Sequence, residues 1–339
     1  MNIVDNPAEQ NKSNRNRTQT AGEKTLQFFS QNSLLLIYFT MCVGLSIWVP
    51  YFFSWENFTG LTLSVSQIGL VSCAMMICLA SRDFDLSVGS TVAFAGVMVS
   101  MMINYTNNIA LSVFTTLLAG ALIGAFNGWV VAYLRINALI TTLATMQIVR
   151  GLSFITSGGR AVGISNENFF IFGSSSFLNI QAPVWVMIVV FICFGVILNH
   201  TIFGRNALAI GGNSEASLLA GIHVQKTRVY IFTILGLISA IAGVILASRI
   251  TSGQPNAATG FELDVISACV LGGVSMAGGK ANIIGVIVGV FILGTVQNAM
   301  NLLNIDAFYQ YVVRGLILLI AVLMDQIKTS GWSFLSRKL

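Results

Sequence analysis

Ten apolar stretches recur along the chain, at 33–53, 60–81, 87–103, 109–134, 138–157, 182–199, 229–250, 263–278, 282–303 and 307–326. A helix needs about 20 such residues to cross the hydrocarbon layer of a membrane. Eight is the alternative count, because some stretches are short. Their side chains are continuously apolar instead of alternating, which selects helices over a β-barrel. Composition agrees: of 339 residues, 55% are hydrophobic and 9% charged, whereas soluble domains carry about 25% charged residues. The chain reads as an all-α polytopic membrane protein.

Charge placement orients the spans. With the N-terminus inside, the inner segments are 1–32, 82–86, 135–137, 200–228, 279–281 and 327–339. They hold every loop Lys and Arg except Arg160, while Arg150, Arg249 and Arg314 lie within or at the ends of spans. This asymmetry places both termini in the cytoplasm. The expected organisation is a cytoplasmic tail at 1–32, a transmembrane domain at 33–326 and a second cytoplasmic tail at 327–339. Ten spans divide into five plus five with the halves inverted, as in many transporters. A net charge of +5 distributed in this way describes membrane orientation, and no nucleic-acid partner is expected.

Few side chains carry chemistry. The five cysteines (Cys42, Cys73, Cys78, Cys193, Cys269) sit in apolar runs without metal-ligand spacing, so they read as small buried residues. Gly273–Ala281 resembles a phosphate loop only superficially: Val274 stands where Walker A needs Gly, and Ala281 follows Lys280. No catalytic group, metal or cofactor is expected, and energy for uphill work must come from another chain or an ion gradient. An ion-coupled secondary transporter, driven by protons or sodium, is the alternative reading. It would need coupling carboxylates at membrane depth, and none sits well inside a span, Asp264 lying near the outer face.

Three constellations stand out. In Arg82–Ser90, Asp85 or Ser87 can cap the third span, anchor it at the membrane face or line a substrate path. Arg150 and Arg314 lie within spans and need a partner, a cavity or a route to snorkel. Gly120, Gly124 and Gly128, and again Gly285 and Gly289, repeat every four residues and suit close helix packing.

The inner loop 200–228 is the best mechanistic clue. Asn213 or Ser214 can N-cap a short helix with Glu215 in its first turn. Leu218, Leu219 and Ile222 give that helix an apolar patch, which suits docking to a partner.

Glu215-Ala216-Ser217 followed by Gly221 resembles the coupling motif of bacterial ABC importer permeases, with Ser217 in place of the usual second Ala. Asp85-Leu86-Ser87-Val88-Gly89-Ser90, Phe203-Gly204-Arg205, Ala209-Ile210-Gly211-Gly212-Asn213 and Val270-Leu271-Gly272-Gly273 are similar to the ribose/xylose/arabinose/galactoside permease family. The runs 136–151, 247–255 and 298–305 resemble the L-arabinose branch of that family.

The resemblance implies a ten-helix type II importer fold in the bacterial inner membrane. It implies a non-catalytic permease that pairs with a second copy and binds ABC ATPase subunits through Asn213, Glu215, Ala216, Ser217 and Gly221. A periplasmic binding protein would deliver a monosaccharide, L-arabinose, from outside. Asp85, Ser87, Arg150 and Arg314 remain candidates for the path or gate.

Overall fold

The computed structural model describes residues 33–330. The expected tail 1–32 and most of 327–339 lie outside the described residues. Thirteen α-helices occur among those described: α1 (Ser33–Trp48), α2 (Trp55–Ala80), α3 (Val88–Thr106), α4 (Ile109–Tyr133), α5 (Ala138–Ser157), α6 (Ile171–Ser174), α7 (Ala182–His200), α8 (Ile202–Gly212), α9 (Ser214–Leu219), α10 (Val224–Arg249), α11 (Phe261–Leu271), α12 (Ile283–Leu302) and α13 (Ala307–Ser330).

Eight of them, α2, α3, α4, α5, α7, α10, α12 and α13, are long and apolar enough to cross a membrane. Two of the ten expected spans are shorter than expected. The first, 33–53, stops at Trp48. Pro50 follows, Tyr51 takes φ 60°, and a new helix starts after the cap Ser54. The eighth, 263–278, is only the eleven-residue α11. It ends where Gly273, at φ 82°, closes the helix by donating to Val270 O while Val274 donates to Cys269 O.

Helix starts follow the sequence closely. The side chains of Ser54, Asn108, Asn137, Asn213 and Asn282 each accept a backbone N–H of the following first turn. The segment 158–181 adds two small ladders. The strand β1 (Val162–Gly163) is antiparallel to β4 (Ser252–Gly253), and β2 (Ser176–Phe177) pairs with β3 (Ile180–Gln181) across a tight turn at Leu178 and Asn179.

The glycine stripes decide where backbones meet. A methyl at Gly124 would collide with the carbonyl of Phe232, and one at Gly120 with Ala240 and Gly236. No side chain but hydrogen fits between α4 and α10 there. Gly285 and Gly289 press in the same way on Gly272 and Ala268 of α11.

Partners are exchanged between the two halves of the chain. α10 packs on α3 and α4, while α2 packs on α11 and α12. α5 leans on α3 and α13 on α11, and α2 and α10 touch each other. α2 is the most enclosed of the long helices and α13 the most exposed.

Candidate functional site

On the face that carries Arg82, Arg135, Arg205 and Lys226, the loop 200–228 folds into two helices, α8 and α9, where a single short one was expected. Asn213 is the N-cap of α9: its Oδ1 accepts the N–H groups of Glu215 and Ala216, both at 3.0 Å. Ser217 is buried and donates its hydroxyl to Asn213 O at 2.8 Å. Serine at this position therefore fastens the helix internally.

Gly221 lies just beyond the helix. α9 ends at Leu219, and Gly221 takes φ 83°. Gly221 N donates to Leu218 O and Ile222 N to Ser217 O, a closure that needs the left-handed conformation and so favours glycine. Leu218 and Leu219 are exposed, Leu219 at 89%.

These helices are mounted on the protein's interior. Gly211 in α8 lies against the carbonyl of Ala80 at the end of α2. Gly279 N donates to that carbonyl at 2.8 Å. The 275–280 turn is held in turn by Asp325, which accepts Met276 N at 3.1 Å.

Beside α9 opens a cleft of about 920 Å³ lined by Arg82, Asp83, Arg135, Ser214, Glu215, Leu218 and Arg228, among others. Asp83, 4% exposed, pairs with Arg228 at 3.0 Å. Burial pushes its carboxyl up to about 6 against the pull of Arg228.

Asp85 and Ser87 are brought together, though not as a helix cap. Asp85 Oδ1 accepts Ser87 Oγ at 2.6 Å and Ser87 N at 2.8 Å, and the side chain of Ser87 caps nothing. The bonding continues across two helices: Asn127 Nδ2 donates to Ser87 Oγ at 3.0 Å, and Thr145 Oγ1 donates to Asn127 Oδ1 at 2.6 Å. All four side chains are buried. Burial raises the Asp85 carboxyl, opposed by the bonds from Ser87. This chain locks the 81–87 segment, α4 and α5 together. Asn127 and Thr145 escaped the sequence reading. The signal was a lone amide between Gly124 and Gly128 in an otherwise apolar span.

Arg150 and Arg314 serve different elements. Arg150 Nη1 donates to the carbonyls of Pro255 at 2.8 Å and Ala257 at 2.6 Å, clamping the 250–260 loop to α5. Arg314 Nη1 contacts Asp264 Oδ2 at 3.2 Å and its guanidinium lies over Tyr311, joining α13 to α11. Asp264 is buried, so a carboxylate does sit inside the fold, neutralised by its partner. Among the described residues no cluster of His, Cys, Asp and Glu is arranged to hold a metal ion.

Together these features define a helical membrane protein with a short, capped helix that exposes Leu218 and Leu219. Residues 57–322 match the family described as branched-chain amino acid transport system/permease component, and the chain belongs to that family. It is 54% identical over 302 residues to the L-arabinose transport system permease protein AraH of Escherichia coli (strain K12), covering 89% of this chain and 92% of that protein. It is 50% identical to the L-arabinose ABC transporter permease protein AraH of Azospirillum brasilense, covering 88% of each. Against the ribose import permease protein RbsC of Escherichia coli (strain K12) the identity is 37%, covering 88% of this chain and 94% of that one. No solved structure matches the chain.

Proposed function

We propose that this chain is the non-catalytic, membrane-spanning permease of an ATP-driven importer for L-arabinose. The observation that carries the reading is the 54% identity to an L-arabinose permease over 92% of its length, against 37% to a ribose permease over a similar span. The family description names branched-chain amino acids, but these near relatives name sugars.

ATP hydrolysis belongs to a partner ATPase, for which the capped α9 with exposed Leu218 and Leu219 is the docking element. Asn213, Glu215, Ala216 and Ser217 build that helix, and Gly221 sets the turn after it. A periplasmic binding protein supplies the sugar on the opposite face. The clustering of Arg82, Arg135, Arg205, Lys226 and Arg228 on one face supports a cytoplasmic assignment for it and cytoplasmic termini in an inner membrane. Lipid surrounds the domain 33–326.

A ten-helix, five-plus-five inverted architecture is supported by the exchange of partners: α2 stands to α11 and α12 as α10 stands to α3 and α4. α1 and α11 then complete the count as short members. A second permease copy is supported by α5, which turns Gln147 outward from the fold among apolar neighbours, where a lipid contact would be costly.

The reading is tested by uptake of radiolabelled L-arabinose into proteoliposomes holding the permease and its ATPase, with D-ribose, D-xylose and D-galactose as competitors. Unlabelled L-arabinose should compete best. Preferred competition by D-ribose would overturn the sugar assignment.

A further inference from the structure

α2 carries a stripe unlike the other faces of the protein. Glu56, Gly60, Ser64 and Gln67 recur at helical spacing on one side, the first three exposed and Gln67 half-buried. The exposed face of α4 is of the opposite kind, with Leu111, Phe114, Leu118, Leu122 and Phe126 set out for lipid. A methyl added at Gly60 would meet nothing within 4 Å, so the stripe faces open space. Continued along the same side, the helix turns apolar and enclosed at Val71, Ala74 and Cys78.

Depth follows from geometry. Exposed Trp48, Tyr51, Phe53 and Trp55 cluster where α2 begins and mark a membrane–water boundary. Gln67 lies about 18 Å further along α2 at 1.5 Å per residue, a little over half of the ~30 Å hydrocarbon layer. α11 explains the open space. It runs antiparallel to α12, since Gly272 meets Gly285 and Ala268 meets Gly289. It reaches α2 where the Cys269 thiol donates to Ser72 O. α2 is also antiparallel to α12, since Asn57 meets Asn298 and Gly294 meets Val65. Counting back from Ser72, the start of α11 at Phe261 therefore lies level with Ser64, and Asp264 of the Asp264–Arg314 pair level with Gln67. The side of α2 above that start is left uncovered.

Two amides at this level lack partners. Nε2 of Gln67 and Nε2 of Gln297 are buried and make no hydrogen bond. The α11–α12 register carries Gln297 to the start of α11, at Gly260. An unpaired buried donor is costly and calls for water or a ligand.

We propose that the outer half of α2 lines a water-filled vestibule that takes a neutral polyhydroxylated ligand, a monosaccharide, from the periplasmic face, and that Gln67 forms its floor. The direction of entry and the nature of the cargo rest on the import reading; the vestibule itself does not. Below Gln67 the same side of α2 is buried at Val71 and Ala74, which end the vestibule.

Thiol scanning of the full chain in membranes tests this, in a background carrying Cys42→Ala and Cys193→Ala. A membrane-impermeant methanethiosulfonate added from the periplasmic side should modify Gly60→Cys, Ser64→Cys and Gln67→Cys, each about tenfold or more faster than Val71→Cys. That ratio corresponds to about 1.4 kcal/mol of access. An unreactive Ser64→Cys or Gln67→Cys, or a reactive Val71→Cys, overturns the vestibule. The labelling needs neither ATP nor sugar, so it reads independently of the transport assay. In that assay Gln67→Leu should slow L-arabinose uptake about tenfold, the loss of one hydrogen bond to the passing sugar, and Gln67→Asn should retain most of it. Wild-type uptake by Gln67→Leu would remove the sugar contact.

Discussion

Arg228 reaches from the first turns of α10 to within 3.0 Å of Asp83, in the segment that links α2 to α3. The pair ties two halves of the chain beside the proposed docking helix. Removing Arg228 would leave a buried carboxylate unpaired, and Arg228→Ala should destabilise the protein by about 3–5 kcal/mol. Thermal unfolding in detergent measures it. Asp83→Asn with Arg228→Gln should recover much of the loss.

The same carboxyl predicts a pH dependence. Its folded value of about 6 exceeds the ordinary 3.8. Between these values the folded state holds a proton that the unfolded chain has released, so its contribution to stability falls as pH rises through that window and is flat above it. Asp83→Asn should flatten the unfolding midpoint between pH 4 and 6. An unchanged slope would show that other groups set it.

Asn127 is the centre of the relay from Asp85 through Ser87 to Thr145. Asn127→Leu would leave Thr145 without that acceptor and Ser87 without its donor, at a cost of about 1–3 kcal/mol. Hydrogen exchange should show loosening of 81–87 first.

Much of this was legible in the sequence, and the exceptions share a cause. Apolar run length and cap residues such as Asn108, Asn137 and Asn213 marked most helices, because both are local properties. The glycine stripe was recognised as packing, and its partner Phe232 was not. α11 was read as too long because Val274 and Met276 are apolar, although Gly272 and Gly273 already end the helix. Asp85 and Ser87 were recognised as important, but their partner Asn127 lies forty residues away. Pairings of that kind depend on which helices meet, and a single sequence does not state that.

Arg150 holds three carbonyls with two guanidinium nitrogens, Nη1 on those of Pro255 and Ala257 and Nη2 on that of Ala258 at 3.5 Å. Lysine offers a compact ammonium on a different stem and cannot reproduce that fork. Arg150→Lys should therefore cost about 1–3 kcal/mol. Proteolysis should detect a loosened 250–260 loop in the variant.

Leu219 is 89% exposed and touches little of its own chain. Leu219→Glu should change the stability of the permease alone by less than about 0.5 kcal/mol, yet abolish co-purification of the ATPase. Retained assembly would remove α9 from the docking role.

The most direct test of the central claim is the energy source for L-arabinose uptake in proteoliposomes. The liposomes hold this chain and its ATPase, with the sugar-loaded binding protein supplied at the periplasmic face. Uptake should require ATP and both partners, and should be unaffected when the proton and sodium gradients are collapsed. Uptake that follows an ion gradient without ATP would contradict the account.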